Sequence, residues 1–395
     1  MKARVLLCHN QYVEPGGESL VFANELAGLR AAGHEVEVYE RNNREISGFS
    51  LAGRAAMVAA AFSSPRTRRD LRALVARFRP QVAIVQNTFP LLSPSTHAVL
   101  AELGVPVIQA VYNYRLVCPS AELYTQGAVC ERCVTGSHWN AVRFRCYRDS
   151  RAQSAWAAAV LAFHRGRGTF ARAVDRFMVP DLFLGSRLAA GGIPQAKMFV
   201  NPNPFHLEDA APATDHRGYL LYVGRLARHK GVRTLLQAVA LARASLRLVV
   251  VGAGELAGEV EAAAASDPRI DFLGARWGDE VTALMRGAAA VVIPSEWYDN
   301  LPLVLCQANG AGTPVVASRI DGLPEYVIPG RNGLLFEPGD ARDLARAMDE
   351  VLGLDAEAYR TLSAATRRHA EERLAYPVHY RKLEAVFAEL GAAAS

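Results

Sequence analysis

Between Tyr219 and Leu352 the chain alternates short apolar runs with segments of helical spacing, and nothing else in the sequence constrains its fold as strongly. The apolar runs are Tyr219 to Val223, Leu246 to Gly252, Ile270 to Gly274, Ala290 to Pro294, Pro314 to Ala317 and Gly333 to Phe336. Short apolar runs with no polar alternation suit strands buried on both faces. Val232 to Ala242 and Ala341 to Leu352 carry helical periodicity. Strand-helix alternation predicts a parallel sheet covered on both sides, and such sheets take ligands at the carboxyl ends of their strands.

The first half repeats the theme. Arg4 to Cys8 predicts a strand, Glu18 to Ala32 a helix closed by Gly33, and Val36 to Tyr39 a second strand. Val82 to Val85 and Val105 to Val111 predict further strands, with a helix such as Asp70 to Phe78 before the first. Residues 151–174 predict helix, and Val378 to Leu390 a final helix that packs back on the first domain. The chain has 395 residues, more than one ordinary core holds. Asn201-Pro202-Asn203-Pro204 is the expected boundary. We therefore expect one Rossmann-like domain of residues 1–204 plus 375–395, carrying an insertion at 116–150, and a second domain of residues 205–374.

Composition excludes several classes. Half the residues are hydrophobic and there is no low-complexity tract, so the chain folds. The start is too weakly apolar for a signal peptide, and no run reaches the roughly 20 apolar residues of a membrane span. The expected location is cytoplasmic. Residues 1–205 carry 24 Lys and Arg against 14 Asp and Glu, a net +10, and the remainder a net −5. A basic first half fits an anionic partner, namely an acidic acceptor, a carrier or a membrane surface touched peripherally, or else a solvated face. No aromatic-basic interleaving suggests nucleic acid.

Gly224-Arg225-Leu226-Ala227-Arg228-His229-Lys230-Gly231 joins a predicted strand to a predicted helix. A glycine turn carrying Arg and Lys there suits phosphate, through backbone N–H groups, the helix N-terminus and two cations. Glu14-Pro15-Gly16-Gly17-Glu18 is a second glycine-bearing strand-to-helix loop, readable as a ligand approach or as an ordinary tight turn. Val251-Gly252-Ala253-Gly254 lacks the third glycine of a dinucleotide fingerprint and reads as a structural turn. In the segment Pro294 to Ser318 a strand ends, a polar loop follows, then a helix and another strand. Asp299 falls at the loop-to-helix junction, and Gln307 two helical turns later can face the same ligand. The N–H groups of Asn300, Leu301 and Leu303 are expected to point toward it.

These motifs together resemble the retaining glycosyltransferases of family 4, which have the GT-B fold: α/β, two Rossmann-like parallel-sheet domains facing each other across a cleft. The residues that carry the resemblance are Gly224, Arg225, Leu226, Lys230 and Gly231, then Gly16 and Gly17, then Asp299 to Gln307 before the Gly312-Thr313-Pro314-Val315-Val316 stretch. The resemblance implies transfer of a sugar, with retention, from a nucleotide-diphosphate sugar, UDP-linked first of all. The acceptor would be a hydroxyl or amine in polysaccharide, glycolipid or natural-product assembly. It implies a hexosyltransferase-type enzyme needing no catalytic cofactor. Arg225 and Lys230 would hold the diphosphate and, with Asp299, form the catalytic group. Gly16 and Gly17 would close over the phosphates. Asp299 and nearby amides would hold the sugar, Gln307 the ribose, and the loop at Arg276 would border the base. Three positions depart from the family pattern. Asp299 and Gln307 stand where glutamates are usual, and Tyr112 stands where a histidine is common. Members with a similar cysteine insertion also carry histidines near Gln86. These departures keep open a catalytically degenerate binding or scaffold protein, and a sugar-nucleotide epimerase of similar architecture.

Cys118, Cys130, Cys133 and Cys146 lie within the insertion, two of them as a CxxC pair. Four such sulfurs predict a structural zinc site; the alternative is free thiols, with or without a redox-active pair. Cys8 and Cys306 sit in apolar runs and read as core. Arg143, Arg145, Arg148, Arg151, Arg165 and Arg167 form a basic cluster that fits an acidic acceptor or a solvated helix face.

Overall fold

A computed structural model describes residues 2–13, 16–207 and 215–392. The chain forms two compact units. The first comprises Met1–Thr125, Cys130–Pro204 and His379–Ser395, the second Gln126–Val129 and Phe205–Val378.

The first unit is built on six strands: β1 (Arg4–Gln11), β2 (Glu35–Asn42), β3 (Val82–Val85), β4 (Val107–Ala110), β5 (Arg176–Val179) and β6 (Met198–Val200). All pair in parallel, in the order β2-β1-β3-β4-β5-β6. Val82–Val85 and Val107–Ala110 are buried at every position, which is why they carry no polar alternation. The core on one sheet face joins Val5, Leu7, Ile84 and Ile108 to Phe22 and Leu29 of the helix Gly17–Ala31 and to Leu383 and Phe387 of the helix Tyr376–Glu389. A buried pair fixes that last helix. His379 Nε2 lies 2.9 Å from Glu25 Oε2, and the two side chains are 1% and 0% exposed. His379 Nδ1 reaches the Pro202 carbonyl at 2.7 Å, and Asn201 Nδ2 donates to the His379 carbonyl at 3.2 Å.

The second unit holds β7 (Leu220–Val223), β8 (Leu248–Val251), β9 (Ile270–Gly274), β10 (Ala290–Ile293), β11 (Val315–Ser318) and β12 (Gly333–Phe336). These pair in parallel in the order β9-β8-β7-β10-β11-β12. Counted within the unit this is 3-2-1-4-5-6, the order of dinucleotide-binding sheets. The sheet runs outward in both directions from the β7–β10 pair, so the loops after Val223 and Ile293 flank the switch point where such sheets bind ligands. In the first unit the corresponding point lies between β1 and β3.

Two strands of the first unit's six-stranded sheet were not foreseen. Arg176–Val179 opens on a polar residue and Met198–Val200 is a three-residue edge. The helix Leu51–Ala60 was also missed, because it buries no residue. Among the described residues no helix is long and apolar enough to cross a membrane.

Candidate functional site

In the second unit, β7 delivers the chain into the turn beginning at Gly224. Three backbone bonds seat that turn on the glycine-bearing turn after β8: Gly224 N to Val251 O at 3.1 Å, Leu226 N to Ala253 O at 2.9 Å and Leu256 N to Leu226 O at 2.9 Å. A Cβ on Gly252 would stand 1.9 Å from the Gly224 carbonyl oxygen. That glycine is therefore required by backbone-on-backbone packing. Buried Tyr222 donates to the Arg225 carbonyl at 2.8 Å and holds the turn from below. The Arg225 side chain is exposed. A short helical turn, Arg228–Lys230, leads to Gly231, which caps the helix Val232–Leu241. Gly231 has φ +69°, and a Cβ there would lie 1.7 Å from the Pro294 carbonyl oxygen. The loop after β7 is thus pressed against the loop after β10.

That contact brings Lys230 to Asp299, 69 residues away. Lys230 Nζ donates to Asp299 Oδ1 at 2.6 Å and Oδ2 at 2.7 Å, and Ser295 Oγ donates to Oδ2 at 2.8 Å. The two side chains are 21% and 9% exposed. Lys230 Nζ also stands 5.3 Å from the Trp297 ring centroid, and His229 packs on the same indole at 4.3 Å. Burial, with Lys230 adding to it, pushes His229 down to about 4, so its imidazole is neutral at pH 7. Asn300 and Leu301 both have φ +43°, and the Asn300 N–H donates to Asp321 Oδ2 at 2.6 Å. The amide expected to face a ligand thus donates here to a carboxylate of the same unit. Leu301 is buried; Leu303 begins the helix Leu303–Gly310, and Gln307 lies partly exposed on it. Arg276 is exposed on the loop after β9, bonded only locally, to the Ala275 carbonyl at 2.9 Å and Glu280 at 3.5 Å.

In the first unit, Gly16 caps and Gly17 opens the helix Gly17–Ala31. A Cβ at either would meet nothing within 4 Å, and Gly16 is extended at φ −140°. Internal packing gives no reason for glycine at either place. Glu14 and Pro15 of this loop lie outside the described residues. Glu18 accepts from Asn113 Nδ2 at 2.7 Å, and burial raises its carboxyl against the opposing pull of Asn113, Arg115 and Tyr12. Tyr112 follows β4, partly buried against the core.

The zinc expectation finds no support. Among the described residues no group of three or more His, Cys, Asp or Glu is arranged to hold a metal ion. Cys118, Cys130, Cys133 and Cys146 are free thiols; burial pushes Cys133 up to about 12 and raises Cys146, with the neighbouring thiols adding to both. Each sulfur has a local partner instead: Cys118 with Ser120 Oγ at 3.2 Å, Cys130 with Arg132 at 3.4 Å, Cys133 with the Ser137 carbonyl at 3.7 Å, Cys146 with Thr125 Oγ1 at 3.5 Å. Metal ligation needs thiolates converging on one point.

Sequence reasoning missed Ser295, Trp297, Glu18 and Asp321. The first two stand in the polar loop after a switch-point strand, a signal that was available. Asp321 reaches Asn300 from beyond the next strand, which no spacing reveals.

The two sheets define an α/β protein of the GT-B fold. Two family models match: Glycosyl transferase 4-like domain over residues 16–204 and Glycosyl transferases group 1 over residues 217–353. The chain belongs to the group 1, family 4 glycosyltransferases of GT-B fold. D-inositol 3-phosphate glycosyltransferase of Pseudarthrobacter chlorophenolicus is 37% identical over 152 residues, 35% of this chain and 35% of that protein. The chain spans about a third of the length of the first curated relatives it matches. Sucrose-phosphate synthase of Thermosynechococcus elongatus shares the fold at a TM-score of 0.69 and 19% identity, covering 99% of this chain and 100% of that one. Anabaena Alr3699/HepE in complex with UDP does so at 0.67 and 16%, covering 98% and 100%.

Proposed function

We propose that the chain moves a sugar from a nucleotide-diphosphate sugar, UDP-linked first of all, to an acceptor hydroxyl or amine with retention of configuration. The observation that carries this reading is the Gly224–Gly231 turn at the switch point of a 3-2-1-4-5-6 sheet, with Arg225 exposed and Lys230 beside a helix N-terminus. In this reading the second unit binds the donor and the first the acceptor. Arg225 and Lys230 take the diphosphate and stabilise the charge that develops as the bond from anomeric carbon to phosphate oxygen breaks. The acceptor oxygen attacks from the same face and its proton passes to the leaving phosphate, so no protein base is assigned and no catalytic cofactor is required. Asp299 and the Leu301 and Leu303 amides hold the sugar, Gln307 the ribose, and the Arg276 loop borders the base. Gly16 and Gly17, free of internal constraint, allow a close backbone approach to a ligand. The Anabaena protein's complex with UDP supports the choice of nucleotide.

Two observations favour a second reading, a binding or scaffold protein without turnover. Asp299 is engaged with Lys230, and Gln307 carries no charge. Calorimetric titration with UDP, GDP, ADP and dTDP, with an Arg225→Ala/Lys230→Ala variant alongside, tests both. We expect UDP to bind and the variant to lose it. No nucleotide binding overturns the donor site. Binding with no hydrolysis of any UDP-sugar transfers the case to the scaffold.

A further inference from the structure

The first unit contains a cavity at the carboxyl ends of β3 and β4, with Tyr112 on its wall. Its free volume is about 60 Å³. That is room for a few waters, and far less than the roughly 300–1,000 Å³ that enclose a whole ligand of drug size. It therefore takes a substituent of a molecule.

Gln86, immediately after β3, lines it. This residue is 3% exposed, and neither Nε2 nor Oε1 has a hydrogen-bond partner. Its backbone is complete: the N–H donates to the Cys8 carbonyl at 2.9 Å, and its carbonyl accepts from Gln109 Nε2 at 3.0 Å. Only the side-chain amide is left unsatisfied. A second lining residue, Arg115, also carries an unpartnered Nε while its guanidinium lies 4.5 Å from the Phe89 ring centroid. Buried donors and acceptors left this way are costly, so a ligand that completes them gains their full worth.

Charge decides what kind of ligand that is. Glu18 and Arg115 both line the cavity and offset one another. A phosphate or carboxylate entering would have to compete with Glu18 for the single arginine that faces the cavity. A hydroxyl can donate to Gln86 Oε1 or accept from Nε2 without net charge. The remaining wall is mixed: Phe89, Leu116, Val160 and Leu161 offer C–H surface, and Asn87, Thr88 and His164 add uncharged polar edges.

We propose that this cavity is an acceptor subsite for a neutral, hydroxyl-bearing carbon group, the edge of an uncharged sugar or polyol, and that it excludes phosphorylated and carboxylated acceptors. Its use by an acceptor rests on the glycosyltransferase reading; the binding specificity does not.

The test is ligand-observed NMR on the full chain with methyl glucoside and myo-inositol against glucose 6-phosphate and glucuronate, with UDP titrated separately. We expect a neutral probe to bind, each charged counterpart to bind about tenfold more weakly, and Gln86→Leu to weaken the neutral probe about tenfold, the loss of one or two neutral hydrogen bonds. Gln86→Leu should melt no lower than the parent, since it removes an unsatisfied amide. If it does not fold, Gln86→Asn, which draws the amide back by one methylene, provides the same readout. Equal or tighter binding of the charged probes overturns the proposal, as does unchanged binding in the Gln86 variant or no binding of either neutral probe. UDP binding distinguishes the two failures. UDP bound with no neutral probe bound sinks the subsite alone. A Gln86-dependent neutral probe without any nucleotide binding sinks the glycosyltransferase reading alone.

Discussion

Asp299→Asn should tighten nucleotide binding. The carboxylate lies 2.6 and 2.7 Å from Lys230 Nζ. A phosphate oxygen taken by the same ammonium from its other side, at about 2.8 Å, stands roughly 5–6 Å from that carboxylate. Two like charges at this distance repel by about 3 kcal/mol at an effective dielectric of 20. Solvent and salt reach the 21%-exposed lysine, so about half of this should survive. The expected gain is on the order of tenfold in UDP affinity by calorimetry at low salt, shrinking as salt rises. The same substitution removes one partner of a partly buried ion pair. We expect it to cost about 1–2 kcal/mol and lower the melting temperature of the second unit by a few degrees. An Asp299→Asn variant that binds UDP no better than the parent would refute the reasoning. Asp299 would then be the group that aims Lys230 at the phosphate, and its attraction for the lysine would outweigh its repulsion of the ligand.

Two further outcomes follow from the geometry. Gly231→Ala should destabilise the second unit by several kcal/mol, because the new Cβ meets a carbonyl at 1.7 Å with φ positive, whereas Gly16→Ala and Gly17→Ala should leave the melting temperature unchanged and reduce sugar transfer; equal melting of all three would refute the distinction. His9 is wholly buried, stacked on Phe22 at 4.7 Å with both ring nitrogens unpartnered, and burial lowers its pKa from 6.5 to about 4. Its contribution is intact above pH 6.5 and is lost as pH falls toward 4, because the unfolded chain takes up the proton first. His9→Phe should therefore match or exceed the parent at pH 7.5 and gain about a further 2 kcal/mol at pH 5 in urea melts; the same difference at both values would count against a buried neutral imidazole.

What the sequence revealed follows from what burial imposes locally. Val82–Val85 and Ala290–Ile293 were readable because strands covered on both faces must be apolar throughout. Met198–Val200 was not, being a short edge. The phosphate-type turn at Gly224 to Gly231 was readable because residue type and spacing carry its chemistry. The Lys230–Asp299 pair was not, since it depends on strand order, and periodicity does not encode which strands become neighbours. Cysteine spacing suggested a metal because it reports separation along the chain and nothing of where the sulfurs point. The unsatisfied Gln86 amide depends on what fails to surround it, which only coordinates reveal.

The His379–Glu25 pair has a consequence for synthesis. Glu25 emerges early from the ribosome, but its partner follows only after all of residues 205–378. The second unit can therefore complete its sheet while the first still lacks the helix that covers Phe22 and Leu29. Completion of the first unit reports that translation has passed residue 379. Any product stopped short of it leaves a carboxylate without its imidazole and an apolar face uncovered, the features by which chaperones and proteases recognise an unfinished chain.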